Sequence, residues 1–125
     1  MKQALTKIIV ALCGWAIFIA VNADVPSKMK KEVDHLISYI KESNCVIERN
    51  GTKHPATEAV NHINQKYDYF RDKIKNTEDF IEYSATKSTM SDKPYMVYCE
   101  GKKAVQSKEW LLKELTEYRL KGNHP

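Results

Sequence analysis

The N-terminal segment of this 125-residue chain has the three parts of a secretory signal peptide. Lys2 and Lys7 supply a positive start, residues 8–21 are an uninterrupted apolar run, and Val21-Asn22-Ala23 ends the segment with small or modest side chains. The run is shorter than the roughly 20 apolar residues that a transmembrane helix needs. We therefore predict a signal peptide at residues 1–23, a single small secreted domain at residues 24–125, a periplasmic location and no stable membrane anchor after cleavage.

The predicted mature chain is small and nearly balanced in charge. Without residues 1–23, 102 residues remain, with 18 basic and 16 acidic side chains and a net charge of +2. A chain of this length can bury one hydrophobic core. Its Lys and Arg residues are interspersed with Asp and Glu, whereas nucleic-acid-binding proteins concentrate basic residues on one surface. Nucleic acid is therefore not an expected partner.

Two cysteines, Cys45 and Cys99, lie outside the predicted signal peptide. Each lies in a short run of β-forming residues, and an even number of cysteines in an oxidising compartment most simply forms a disulfide. Two buried free thiols remain the alternative. A redox-active pair is not expected, because neither cysteine belongs to a C-x-x-C motif.

Hydrophobic periodicity predicts about four helices and two strands. The predicted helices cover about residues 28–42, 55–76, 77–83 and 107–122, and the strands about residues 45–49 and 94–99. The second helix has the clearest signal, because Val60, Ile63 and Tyr67 follow at steps of three and four and form the expected centre of the core. We expect Pro55 in its first turn, and Thr77 as the N-cap of the third helix. The order of elements predicts an α+β fold, a mainly helical small single domain with a short two-stranded sheet.

A series of short motifs in a fixed order resembles a known family. The series begins at Arg49-Asn50-Gly51 and ends at Trp110-Leu111. Between them, in chain order, come His54, Glu58-Ala59-Val60, His62, Lys66, Thr77-Glu78, Phe80-Ile81, Ser84, Ser88 and Lys93-Pro94-Tyr95. Over about residues 33–118 the chain is similar to the YfeK-like family of small secreted proteins of Gram-negative bacteria, whose function is unknown. The resemblance implies a periplasmic location and supplies no reaction, and it does not include the two cysteines.

Four polar residues, His54, Glu58, His62 and Lys66, follow one another at intervals of four. On a helix this spacing places them along one face beside the apolar stripe, so we expect them to be at least partly exposed. One interpretation is a solvated helix edge with weak pairs between neighbours. Another is a binding site for a carboxylate or phosphate, formed with residues of the adjoining turn, loop and strand. The full set of binding candidates is Arg49, Asn50, His54, Glu58, His62, Lys66, Ser84, Ser88 and Tyr95.

A catalytic interpretation of the same residues is the alternative. It is a small hydrolase or metal-dependent enzyme that uses His54, Glu58 and His62, or Ser88 as nucleophile with His62 as base. The spacing is not that of H-E-x-x-H, Lys66 would repel a cation, and no serine lies in a G-x-S-x-G motif. We therefore predict a non-catalytic binding domain, monomeric and without metal or cofactor, whose partner is an envelope protein or a cell-wall fragment.

Overall fold

The computed structural model describes residues 24–122, so the predicted signal peptide lies outside the described residues. The helices are α1 (Asp24–Glu42), α2 (Ala56–Tyr69), α3 (Thr77–Ser84) and α4 (Ser107–Gly122), and a 3₁₀ turn (Arg71–Lys73) follows α2. The strands are β1 (Val46–Arg49), β2 (Thr52–Pro55), β3 (Met96–Tyr98) and β4 (Val105–Gln106). The chain divides into two compact units, of which the first ends at Lys31 and the second begins at Glu32. The described residues of the first unit are the start of α1, and the sheet and the other helices belong to the second unit. Within residues 24–122, no helix has the length and apolar character to span a membrane.

The sheet has four antiparallel strands in the order β2-β1-β3-β4, so the predicted two-stranded sheet is wrong. The two predicted strands are the central ones. Each of the two missed strands lies at an edge. The β2 sequence Thr-Lys-His-Pro has no apolar alternation, and β4 has only two residues, so neither gives a periodic signal. Each edge strand is defined by its hydrogen bonds to a central strand, β2 to β1 and β4 to β3.

The hairpin of β1 and β2 is formed by the turn at Asn50 and Gly51. Both residues have positive φ, 54° and 83°, which is the geometry of a two-residue turn between antiparallel strands. The turn pairs Arg49 with Thr52 and Ile47 with His54. Glycine and asparagine tolerate this backbone conformation at little cost, so the sequence alone predicts the reversal.

The hydrophobic core lies between one face of the sheet and the helices. Ile47 of β1 pairs with Val97 of β3, and both side chains are buried. The helices contribute buried side chains at helical spacing: Leu36 and Ile40 from α1, Val60 and Ile63 from α2, Phe80 and Ile81 from α3, Leu111 and Leu115 from α4. This is the expected α+β arrangement with α2 at its centre.

A disulfide joins Cys45 to Cys99, with an S–S distance of 2.01 Å, so the prediction of a bridge is confirmed. Because Val46 pairs with Tyr98, the register places these cysteines opposite each other, just before β1 and just after β3. The bridge joins residues 54 positions apart, which in the chain-entropy model stabilises the fold by about 4 kcal/mol. A disulfide is consistent with an oxidising compartment such as the periplasm.

Three helix starts differ from the sequence prediction. The first helix begins at Asp24, four positions before the predicted residue 28. Pro55 lies before the first turn of α2, as its N-cap residue and the last residue of β2. The N-cap of α3 is Asn76, whose side-chain oxygen accepts a 2.8 Å hydrogen bond from the Asp79 amide. Thr77 is instead buried, and its hydroxyl donates to Glu32 at 2.6 Å.

Candidate functional site

One end of the sheet brings together residues from three strand segments. Arg49 is the last residue of β1 and pairs with Thr52 at the start of β2. Glu48 pairs with Met96, so the next position along β3 toward its N-terminus, Tyr95, is at the same end of the sheet as Arg49. Side chains two residues apart on a strand share a face, so Arg49 is on the face that carries the buried Ile47.

Helix α2 adds His62 and Lys66, which are four residues apart and therefore one turn apart on the same face. The Lys66 ammonium donates hydrogen bonds to the Tyr95 hydroxyl at 3.1 Å and to the backbone carbonyl of Lys87 at 2.7 Å. The Tyr95 hydroxyl is also 3.3 Å from Nε2 of His62. A continuous set of polar contacts thus connects α2, the loop after α3 and the start of β3.

The hydrogen bonds of Tyr95 have a definite direction. An ammonium group only donates, so the Tyr95 oxygen accepts from Lys66. We assign the Tyr95 hydroxyl hydrogen to Nε2 of His62, which leaves the imidazole hydrogen on Nδ1. Burial, followed by the positive charges of Arg49 and Lys66, lowers the pKa of His62 to about 4, so this side chain is neutral at pH 7.

Lys66 is a buried cation that has no counter-anion among residues 24–122. The residue is only 9% exposed, and its ammonium contacts two neutral acceptors. Within residues 24–122 it forms no ion pair with a carboxylate. Burial, then the charges of Arg49 and Lys87, lowers the pKa of Lys66. Because an effective desolvation penalty is several kcal/mol per buried ion, a charge left in this state is unusual in a folded protein.

Arg49 adds a second cation. Its side chain is half-buried, and no residue in the described part of the chain forms a hydrogen bond or ion pair with its guanidinium. Its charge lowers the pKa of His62 and of Lys66. The planar guanidinium therefore keeps its donors available for a carboxylate or phosphate, which it can bind through two parallel hydrogen bonds.

These side chains line a cavity of about 440 Å³ that we call the cationic pocket. In the described part of the chain, two cations and no carboxylate line it. Ser88 contributes from the loop after α3, where its oxygen accepts hydrogen bonds from the amides of Met90 and Ser91 at 3.3 Å each. Its hydroxyl hydrogen is not used in these bonds and is available to a ligand. The complete lining is Arg49, Asn50, Thr52, His54, His62, Lys66, Ser88, Thr89, Met90 and Tyr95.

The cationic pocket contains most, but not all, of the binding candidates predicted from the sequence. Those that line it are Arg49, Asn50, His54, His62, Lys66, Ser88 and Tyr95. Glu58 lies outside the lining, with a largely exposed carboxylate that pairs with Nδ1 of His54 at 3.0 Å. Ser84 is fully buried in α3, and its hydroxyl has no hydrogen-bond partner among residues 24–122.

The expectation that the polar row lies on one helix and is partly exposed is wrong at two positions. His54 is in β2, because α2 begins only at Ala56. Lys66 is buried, because the Lys87 carbonyl and Tyr95 cover its ammonium. No sequence pattern indicates Thr89 and Met90 as lining residues, whereas Thr52 follows from its pairing with Arg49 across the Asn-Gly turn.

The residues of the predicted catalytic alternative are engaged in other contacts. His54 pairs with Glu58, and His62 contacts Tyr95. The Ser88 oxygen accepts backbone amides. Across residues 24–122, no three or more His, Cys, Asp or Glu side chains are grouped so that they could hold a metal ion. The geometry thus adds no observation in favour of a metal-dependent hydrolase.

Comparison with known proteins places the chain in a family. Residues 27–119 match a family of unknown function, DUF5329. The chain belongs to this family. One relative is the uncharacterised protein YfeK of Salmonella typhimurium, 29% identical over 92 residues that cover 74% of this chain and 72% of the relative. The predicted resemblance to YfeK-like proteins is therefore confirmed, and neither comparison assigns an activity. No solved structure matches the chain.

Proposed function

We propose that this member of the DUF5329 family is a non-catalytic binding module of the bacterial envelope, which holds an oxyanion of its ligand in the cationic pocket. The oxyanion is a carboxylate or a phosphate carried by an envelope protein or a cell-wall fragment. The protein acts as a monomer in the periplasm after the loss of residues 1–23. The buried ammonium of Lys66, which has no counter-anion in the described part of the chain, carries this proposal.

The energetics of the pocket support an anionic ligand. A bound oxyanion offsets the desolvation cost of Lys66 and accepts its remaining hydrogen, since Lys87 and Tyr95 take two of the three. Arg49 contributes two parallel N–H donors, and Ser88 contributes a hydroxyl. A cation would meet two like charges there, so a cationic ligand is disfavoured.

The disulfide supports the location. A bridge between Cys45 and Cys99 persists outside the reducing cytosol. The signal peptide predicted from Lys2, Lys7 and the apolar run at 8–21 would deliver the chain there. In that compartment the carboxylates of peptides and the phosphates of lipids or nucleotides are both available as oxyanions.

Titration with simple anions tests the proposal. We expect acetate or inorganic phosphate, added at constant ionic strength, to shift the amide resonances of Arg49, Lys66 and Ser88 saturably in heteronuclear NMR. Arg49→Ala should weaken the binding by about tenfold or more, because it removes charge-assisted hydrogen bonds. The anion with the higher affinity, acetate or phosphate, identifies which oxyanion the pocket prefers.

Lys53→Ala is the matched control. It removes one positive charge from the same hairpin, but Lys53 lies outside the pocket lining, with its ammonium 4.2 Å from the centre of the Tyr98 ring. We expect its affinity to stay within about twofold of the wild-type value, since distant exposed charges are screened. Equal losses in both variants would mean a non-specific charge effect, and no saturable shift with either anion would contradict the proposal.

A further inference from the structure

A second cavity adjoins the cationic pocket. It has a volume of about 300 Å³ and is lined by Lys66, Phe70, Glu82, Tyr83, Lys87, Thr89 and Asp92. Lys66 and Thr89 line both cavities. The two cavities therefore lie side by side at α2, and we call the pair the cleft. A ligand bound at Lys66 is next to the second cavity.

The two ends of the cleft differ in charge. Arg49 lies at one end, whereas the other end carries the carboxylates of Glu82 and Asp92 together with the ammonium of Lys87. Each carboxylate has one lysine partner, Lys108 at 2.9 Å for Glu82 and Lys87 at 3.3 Å for Asp92. All four side chains are about half or more exposed, and such ion pairs are weak, so a ligand ammonium can share or replace the lysines.

Aromatic rings line the second cavity beside these carboxylates. The Phe70 and Tyr83 rings have their centres 5.5 Å apart at an angle of 36°. Aromatic faces attract ammonium groups and pack against aliphatic chains. The second cavity thus has the chemistry to hold a positive group and the apolar linker that leads to it.

We propose that the ligand is an amino-carboxylate, a short peptide or similar zwitterion, with its carboxylate between Arg49 and Lys66 and its ammonium at Glu82 and Asp92. This inference rests on the proposed function, because it assumes that the cationic pocket binds the oxyanion. It selects the carboxylate over the phosphate. It also gives the carboxylates and aromatic rings of the second cavity a role that a simple anion does not need.

A series of ω-amino acids of increasing chain length tests the inference. Each is compared by calorimetry with the monocarboxylate of the same length on the full protein. At the length that spans the cleft, we expect the amino acid to bind about tenfold tighter than its monocarboxylate, because two linked groups bind with a high effective concentration. The matching alkylamines should bind weakly.

Variants locate the ammonium. Glu82→Gln and Asp92→Asn together should reduce the preference for the amino acid over its monocarboxylate to about threefold or less, each ratio being measured within one variant. Asp68→Asn is the control, since it removes an exposed carboxylate from α2 whose partner is Arg71 and which does not line the second cavity. This control should keep the full preference.

The outcomes separate this inference from the proposed function. If acetate binds but no ω-amino acid binds more tightly than its monocarboxylate, the zwitterionic ligand is wrong and the oxyanion site stands. If the preference exists but survives the double substitution, the placement of the ammonium is wrong. If neither acetate nor phosphate binds, both proposals fail.

Discussion

Two buried charged residues, Glu32 and Lys66, differ in the partners that surround their charged groups. Glu32 is 5% exposed and accepts two hydrogen bonds from the guanidinium of Arg119, at 2.8 and 3.0 Å, and one from Thr77 at 2.6 Å. Lys66 is 9% exposed, and its ammonium donates hydrogen bonds to a carbonyl and to a phenol oxygen. Among residues 24–122 the fold supplies a counter-charge for Glu32 and none for Lys66. This difference gives Glu32 a structural role and makes Lys66 the residue on which the proposed ligand site depends.

The Glu32 cluster joins three helices. Arg119 of α4 also binds both carboxylate oxygens of Glu78 in α3, at 2.8 and 3.1 Å, and this pairing lowers the pKa of Glu78. Because α1 contributes Glu32, the cluster fixes the relative positions of the helices that enclose the core. No such fixation is visible around Arg49, whose guanidinium is left without a partner within residues 24–122.

The largest effect should come from Arg119→Met. The substitution leaves Glu32 buried without its cation, and breaking a buried pair in this way costs about 3–5 kcal/mol, reduced here to about 2–4 because Arg119 is partly exposed. We expect the free energy of unfolding in urea to fall by that amount. Lys121→Met, in the same last turn but exposed, should change it by less than about 0.5 kcal/mol. Similar values for both variants would contradict the assigned structural role.

Lys66→Met should weaken anion binding and leave the free energy of unfolding nearly unchanged. It removes a desolvated charge but also two hydrogen bonds, so the free energy of unfolding should change by less than about 1 kcal/mol in either direction. The affinity for acetate or phosphate should fall by about tenfold or more, because a cation that contacts the oxyanion is lost. Urea unfolding and NMR titration of the same preparation measure both. A large loss of stability would make Lys66 a structural residue like Glu32.

The smallest effect is a shift in the titration of His62. We expect its imidazole to titrate near pH 4 in NMR, and Arg49→Ala to raise this pKa toward 6.5, because a positive neighbour is removed. Between pH 6.5 and 4 the unfolded chain takes up a proton that the folded chain does not. The His62 contribution to stability is therefore complete above pH 6.5 and is lost as the pH falls through this window. His62→Gln should remove that part of the pH dependence, and a measured pKa near 6.5 in the wild-type protein would contradict the arrangement.

Sequence periodicity predicted the central elements of the fold. The stripe through Val60 and Ile63 gave α2, and the β-forming runs beside Cys45 and Cys99 gave the two central strands and the bridge between them. The edge strands β2 and β4 were not predicted, because their residues carry no alternating apolar pattern. Pro55 is predicted inside the helix because the first turn tolerates its missing N–H, whereas α2 starts one residue later, directly after β2.

Most of the binding candidates line one cavity, but the burial of Lys66 differs from the prediction. The intervals of four group His62 with Lys66, the adjoining turn adds Arg49, and all three side chains line one cavity. Spacing also suggested that Lys66 is exposed, whereas its ammonium is covered by Lys87, 21 residues away, and by Tyr95, 29 residues away. The loop that carries Ser88 gave no periodic signal, so its position over α2 was not predictable from local pattern.

The sequence by itself determined the features that depend on near neighbours: the apolar faces of the helices, the reversal at Asn50 and Gly51, and the pair of cysteines in β-forming runs. Only the tertiary structure decided which charges are buried and which of them are paired. Desolvation depends on atoms that distant segments bring against a side chain, and pairing depends on the direction from which a counter-charge approaches. Glu32 and Lys66 look alike in the sequence as charged residues on helices, and the fold makes one a structural residue and the other the centre of the cationic pocket.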